Sequence, residues 1–291
     1  MLKGVYTAIV TPFNSDGSFD EGRFRELIEL QIKSGVAGIL PCGTTGESPT
    51  LNHDEHNRVI QVCCDQVRGR CEVMAGTGSN STDEAIYMTS HAKKAGATSS
   101  LQVVPYYNKP SQKGMYEHFK KIADEVSLPV IIYNIPGRTG INMETKTLAE
   151  LAKHKNIVGV KEASGSIAQM MSVIDAVPSD FSVLSGDDKL TLPLIAVGGH
   201  GVVSVASNVI PLEMVKFVEL GLKGDISAMR KEHYRLMELF DKLFIETNPL
   251  PVKKILALVG RIESSYRLPM CEPSEDSVGI LRDLVKKYNI K

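Results

Sequence analysis

The feature that most constrains this chain is an eightfold alternation. Short, β-branched apolar runs return between longer amphipathic stretches, from the N-terminus to about residue 207. The runs are VYTAIVTP (5–12), VAGILPC (36–42), CEVMAGT (71–77), SSLQVVP (99–105), PVIIYNI (129–135), NIVGVKE (156–162), FSVLSGD (181–187) and GVVSVAS (201–207). Successive starts lie roughly 20–35 residues apart, the length of one strand, loop and helix. The pieces between them carry helical periodicity. In FDEGRFRELIELQIKSG, Phe24, Leu27, Ile28 and Ile32 share one face and Gly35 ends it. KGMYEHFKKIADEV and TKTLAELAKHKN follow the same pattern. Strands that alternate with helices imply a parallel sheet, and eight such units imply an α/β fold closed as a (β/α)₈ TIM barrel. An open doubly wound sheet would need a glycine-rich phosphate loop after its first strand, and TAIVTPFNSDG has none.

Beyond about residue 208 the alternation stops. PLEMVKFVELGLKG, DISAMRKEHYRLMELFDKLFI, PLPVKKILALVG and PSEDSVGILRDLVKKY read as successive helices separated by Gly and Pro. The first is expected to close the barrel, giving a catalytic unit over 1–224 and a helical appendage over 225–291. The appendage packs either on the barrel or on another subunit.

Charge and cysteine usage narrow the partners. Lys+Arg 33 against Asp+Glu 34 leaves a formal charge of −1, and the charges are interspersed, so neither nucleic acid nor an anionic membrane is expected as the main partner. The charge-free stretch 190–212 is long enough to cross a bilayer, but Pro193, Gly198, Gly199, Gly201 and Pro211 break it into short pieces. Cys42, Cys63, Cys64, Cys71 and Cys271 form no CxxC pair and are odd in number. They read as reduced, mostly buried thiols, and with no secretory signal in MLKGVYTAIVTPF the expected compartment is the cytoplasm.

In a barrel of this kind the active site lies at the C-terminal ends of the strands. There the sequence places Gly43-Thr44-Thr45-Gly46-Glu47, Tyr106-Tyr107-Asn108, Tyr133-Asn134, Arg138, Lys161-Glu162 and Gly186-Asp187-Asp188. Lys161 follows Ile157, Val158 and Val160, so its stem emerges from an apolar wall. A lysine with its ordinary pKa is neutral in only about one molecule in a few thousand at pH 7. Desolvation enlarges the neutral fraction that can attack a carbonyl. The plainer alternative is a lysine that snorkels or pairs with Glu162. Tyr133 sits one strand–helix unit earlier, on the neighbouring strand, where its phenol could move protons, or simply meet water. Thr44 and Tyr107 could extend a hydroxyl relay. The GTTGE turn offers backbone N–H groups to an anion, and Arg138 offers a carboxylate fork or a solvated surface charge. His53 and His56 follow a likely cap, Asn52, and HDEH has the wrong spacing for an HExxH metal site, so a polar helix start is expected.

Taken in order, GTTGES (43–48), PYYN (105–108), YNIPGRTG (133–140), GVKEAS (159–164), LSGDD (184–188) and GGHGVVSV (198–205) are far more specific than any one alone. With them the chain resembles the dihydrodipicolinate synthase family of pyruvate-dependent class I aldolase barrels, relatives of N-acetylneuraminate lyase. The resemblance spans essentially the whole sequence. It implies condensation of pyruvate with L-aspartate 4-semialdehyde, the first committed step of diaminopimelate and lysine biosynthesis, with no metal or organic cofactor. It implies that Lys161 is the Schiff-base lysine and Tyr133 the general acid/base, linked through Thr44 to a Tyr107 lent by another subunit. Thr45 would bind the pyruvate carboxylate, Arg138 the carboxylate of the second substrate, and Gly186 and Val203 would line the pyruvate pocket. A homotetramer built as a dimer of dimers is implied. So is an L-lysine inhibitor site from Ser48, His53, His56, Asn80, Glu84 and Tyr106, with Glu84 and His56 meeting the effector's charges. A sister lyase for sugar acids would keep Lys161 and Tyr133 without needing Arg138, and a non-catalytic barrel would need none of them.

Overall fold

The structure, a computed structural model, describes residues 1–291. Its elements run β1 (Gly4–Ala8), α1 (Glu21–Lys33), β2 (Gly38–Leu40), α2 (His53–Val67), β3 (Glu72–Gly76), α3 (Thr82–Ala95) and β4 (Ser99–Val103). Then follow α4 (Gln112–Glu125), β5 (Val130–Asn134), α5 (Pro136–Thr139), α6 (Thr145–Leu151), β6 (Ile157–Glu162), α7 (Ile167–Ala176) and β7 (Ser182–Ser185). The chain ends with α8 (Thr191–Ala196), β8 (Gly201–Ser204), α9 (Pro211–Leu222), α10 (Ile226–Lys242), α11 (Leu250–Leu258) and α12 (Glu275–Lys287). Seven strands fall within the apolar runs and β1 starts one residue before its run, at Gly4; all eight pair in parallel and close in sequence order into one barrel. The fold is a (β/α)₈ TIM barrel with additional C-terminal helices. No helix is long and apolar enough to cross a membrane.

Side-chain parity divides the interior. Alternate strand residues point inward, and Leu2, Tyr6, Ala8, Leu40, Met74, Leu101, Ile131, Tyr133, Leu184 and Val203 fill the lumen as one cluster. The opposite parity, including Val5, Ile39, Val73, Val130, Ile132, Val160, Val183 and Val202, faces the helices. The outer cluster around β1 is continuous with Met229, Leu236, Phe240, Val252, Leu256 and Leu281 of α10–α12, so the C-terminal helices share the barrel's own core.

Local chemistry starts the helices where they start. Asp20, Ser81, Ser111, Ser166, Asp225 and Ser274 each accept from a first-turn amide, and Asn52 forms a reciprocal capping box with Glu55. The polar helix start expected at His53 is thus an N-terminus fixed by its cap. On α1, Phe24, Leu27 and Ile28 are buried as expected, but the next buried position is Gln31 and not Ile32. Gln31 bridges two elements near the barrel seam. Its Oε1 accepts from Thr7 at 2.8 Å and its Nε2 donates to the Ser207 carbonyl at 3.0 Å. The thiols are free, yet less hidden than expected. Cys42 and Cys63 are buried, Cys64 and Cys71 half-buried and Cys271 exposed, because the last lies in the surface loop before α12.

The seam between β1 and β8 needs backbone contact closer than any side chain allows. Gly201 pairs with Gly4 at φ +148°, and a Cβ on Gly201 would stand 2.0 Å from the Gly4 carbonyl oxygen. Asn208 sews the joint from outside, donating to the Ala8 carbonyl at 2.8 Å and accepting from the Val10 amide at 3.1 Å. Gly201→Ala is therefore expected to lower unfolding stability by about 3 kcal/mol through overpacking and positive-φ strain. Gly279→Ala, on α12 with open space around it, is expected to raise it by about 0.5–1 kcal/mol through helix propensity. Urea titrations of both variants check the pair, and equal, small effects would contradict this account of the seam.

Candidate active site

Strand register alone brings Lys161 to Tyr133. The two are paired across β5 and β6, with Leu184 of β7 on the other side. Both flanking residues are lumen members, whereas Val160 faces the helices, so the Lys161 side chain enters the lumen. It is 6% exposed, and its Nζ stands 4.0 Å from the centre of the Tyr133 ring. The snorkelling alternative fails on that burial. The pairing with Glu162 fails as well. Glu162 faces the other way and accepts from the Ser164 amide at 2.7 Å and from Asn134 Nδ2 at 3.3 Å.

Burial is the main reason the Lys161 amine falls to about 7, with the Arg138 charge lowering it further and the Asp188 charge opposing. Far more of the amine is then neutral near pH 7 than in an exposed lysine. Gly186 makes room for the stem, since a Cβ there would meet Lys161 Cγ and Cε at 3.2 Å. Val203 is buried in the same lumen cluster as Tyr133. Asp188 lies just past β7, 2% exposed, and its Oδ2 accepts from the Val205 and Ala206 amides at 3.1 and 2.9 Å. Burial lifts its carboxyl to about 6. Nothing in the LSGDD segment marks Asp188 as a neighbour of Lys161; the fold brings its charge to bear on that amine.

The Tyr133 phenol is pushed up to about 12, chiefly by burial, against the opposing pull of Arg138 and the Thr44 hydroxyl. It is a protonated acid at neutral pH, set beside a partly neutral amine. A cavity of about 220 Å³ opens beside Tyr133, lined also by Thr44, Ser48, Tyr106 and Arg138 among others; Lys161, Thr45, Gly186 and Val203 are not part of its lining. In the turn after β2, the Thr44 and Thr45 amides donate to no group of the protein, as an anion-binding turn requires. Thr45 is 3% exposed. Arg138 reaches from α5, its Nη2 donating to the Asn248 carbonyl at 3.2 Å. Tyr107 is the one exposed member of the expected catalytic set, standing at φ +70° and 89% exposed.

The six residues expected to form an effector site are drawn together on α2, α3 and the adjoining loops. His53 Nε2 lies 2.8 Å from Glu84 Oε1, and Ser79 donates to the other Glu84 oxygen. Asn80 donates to the Tyr106 carbonyl at 3.1 Å. His56 is buried, with Nε2 2.9 Å from the Gly76 carbonyl. Burial lowers its pKa to about 4, so it is neutral and can meet an effector only through hydrogen bonds. Glu84 is the charged member, held below the usual carboxylate range by the Ser79 hydroxyl and by His53. Ser48 and Tyr106 line the cavity described above, so this cluster abuts the candidate active site.

Comparison with known proteins gives one consistent answer. The profile of the Dihydrodipicolinate synthetase family matches residues 1–288. The 4-hydroxy-tetrahydrodipicolinate synthase of Endomicrobium trichonymphae is 53% identical over 291 residues, covering 100% of this chain and 99% of its own. A chloride-inhibited dihydrodipicolinate synthase from Acinetobacter baumannii, solved with pyruvate, superposes with TM-score 0.98 at 39% identity over 100% of both chains. The enzyme from Cyanidioschyzon merolae, solved with lysine bound, superposes with TM-score 0.96 at 42% identity over 99% of both.

The charge pattern around Lys161 has a measurable sign. Reductive alkylation of this amine by a small ketone is expected to accelerate as pH rises through about 7, where its neutral form appears, while surface lysines respond only nearer 10. Asp188→Asn removes the opposing negative charge and moves the Lys161 midpoint down; Arg138→Gln removes a positive charge and moves it up. Peptide mapping across a pH series reads all three midpoints, and a Lys161 midpoint near 10 contradicts the desolvated site.

Proposed function

The chain belongs to the dihydrodipicolinate synthetase family, and from that premise we propose that it is a Schiff-base lyase of the class I aldolase type. It condenses pyruvate with L-aspartate 4-semialdehyde to 4-hydroxy-tetrahydrodipicolinate, the first committed step of diaminopimelate and lysine biosynthesis. The observation that carries the reading is the dehydrated Lys161 amine against the ring of Tyr133, which together with Arg138 lines the cavity.

The neutral Nζ of Lys161 adds to the pyruvate ketone, and Tyr133 gives a proton to the departing hydroxyl as water leaves and a protonated imine forms. Thr44 passes protons to and from Tyr133. The Tyr133 phenolate takes up a methyl proton, turning the imine into an enamine, and returns it to the aldehyde oxygen as the enamine carbon bonds to the aldehyde carbon of the second substrate. Arg138 holds that substrate by its carboxylate. The substrate's own amine then attacks the imine carbon, closes the ring and frees Lys161. Thr45 and the free amides of its turn bind the pyruvate carboxylate, and Gly186 and Val203 shape the pocket around the methyl group. The covalent chemistry is the lysine's, and no step calls on a metal or organic cofactor.

Tyr107 completes the relay from a second subunit. Its exposure and left-handed backbone in the isolated chain support that role, since a tyrosine held outward in a strained turn is placed for a neighbour. The working form is a homotetramer, a dimer of dimers, in the cytoplasm, with residues 1–224 as the catalytic unit and 225–291 as its helical appendage. L-lysine inhibits it at Ser48, His53, His56, Asn80, Glu84 and Tyr106, where Glu84 meets the effector's ammonium groups.

Borohydride reduction with pyruvate is expected to add one pyruvate-derived group, at Lys161. Lys161→Arg abolishes that adduct, and Tyr133→Phe lowers kcat by about 10²–10⁴. A wild-type protein that turns over aspartate semialdehyde without forming the adduct rules the mechanism out.

Saturating L-lysine is expected to slow the same assay, and Glu84→Gln to weaken inhibition at least about tenfold, or ~1.4 kcal/mol. Unchanged rates with L-lysine remove the regulatory part and leave the chemistry standing.

A further inference from the structure

Around the start of α11 the chain returns to the turn after β2 and grips it at two points. Asn248 Nδ2 donates to Thr45 Oγ1 at 3.0 Å, and both residues are almost wholly buried, at 5% and 3% exposure. Lys253, the second point, sets its Nζ 2.5 Å from Glu47 Oε1, with both side chains about 1% exposed. Glu47 ends the turn in the left-handed region at φ +53°. Around this clip, Lys253 covers the Phe13 ring at 4.5 Å, and Arg267 covers the same ring at 4.2 Å while forking onto Glu55. Buried ion pairs add little net stability but are costly to break, so their effect here is to fix geometry. The geometry fixed is that of the Thr44–Thr45 turn.

The direction of the Asn248–Thr45 bond has a chemical consequence. A hydroxyl carries one proton and two acceptor lone pairs. When an amide donates into one lone pair, the hydroxyl proton stays free and is polarised toward a second acceptor. We propose that Asn248 is a positioning residue for pyruvate: by donating to Thr45 it commits the Thr45 hydroxyl to act as a donor to the substrate carboxylate. This rests on the reading of Thr45 given above. The main-chain carbonyl of Asn248 meanwhile accepts from Arg138, and side-chain substitution leaves that contact in place.

Asn248→Asp is the discriminating variant. A carboxylate of the same shape can only accept, so it takes the Thr45 proton and places a negative charge beside the anion site. The pyruvate half-saturation of borohydride trapping is expected to rise at least about tenfold, the loss of one hydrogen bond to a charged group. KM for aspartate semialdehyde is expected to stay within about threefold, because the carbonyl that holds Arg138 is retained. Thr45→Val should raise the pyruvate value at least as much, and adding Asn248→Ala to Thr45→Val should change it no further. A merely structural asparagine would weaken both substrates alike and would still cost affinity in the Thr45→Val background. Either result, or Asn248→Asp with a pyruvate value within twofold of wild type, overturns the proposal. If Asn248→Asp does not fold, the cycle between Asn248→Ala and Thr45→Val decides. Absence of any wild-type adduct would instead sink the Schiff-base reading itself, which separates the two failures.

Discussion

Removing water from one amine is the constraint on which the site depends. A lysine on a surface strand would keep its proton at neutral pH. Inside a closed barrel wall the ammonium loses its hydration, and the Tyr133 ring and the Asp188 carboxylate only partly offset the loss. The packed lumen beneath, from Leu2 and Tyr6 to Leu184 and Val203, keeps solvent from entering at the lower end. Eight short strands and their register therefore determine the chemistry as much as the side chains do. An open sheet with the same residues would leave the lysine wet.

Around that amine the charges are balanced and not simply absent. Arg138 pushes the proton off Lys161 and Asp188 draws it back. An excess of the first would leave the imine nitrogen hard to protonate, and an excess of the second would silence the nucleophile. Asp188 is able to play this part because two backbone amides at the end of β8 hold one of its oxygens, so its carboxylate is fixed without a cationic partner. The acid and the base of the site are thus separated by environment, with a phenol near 12 beside an amine near 7.

Much of this was readable beforehand, for reasons that can be stated. Parallel strands buried on both faces leave unbroken β-branched runs, which is why all eight strands were placed. Lys161 and Tyr133 could be paired because one strand–helix unit separates them. Burial of Gln31 in place of Ile32 was not readable, since helical periodicity reports apolar faces and is blind to a polar side chain whose partners, Thr7 and Ser207, come from elsewhere in the chain. The neutral state of His56 depends on burial that spacing does not reveal. The contribution of Asn248 and Lys253 escaped for the most general reason. Their partners, Thr45 and Glu47, lie about two hundred positions away, and no periodicity in either segment encodes the meeting. The outward stance of Tyr107 follows from a left-handed backbone at a non-glycine residue, which composition does not announce.

The β1–β8 seam has a consequence for how the molecule is made. Strand β1 leaves the ribosome first, yet its outer edge has no mate until Gly201 through Ser204 have been synthesised. Until then the nascent sheet carries an unpaired apolar edge, the kind of surface that invites wrong pairing with neighbouring chains. At translation speeds of roughly 5–20 residues per second, that interval lasts on the order of ten to forty seconds. Cells that express this protein have to shelter that edge for much of the elongation cycle, and its yield should follow chaperone supply more closely than the compact finished barrel would suggest.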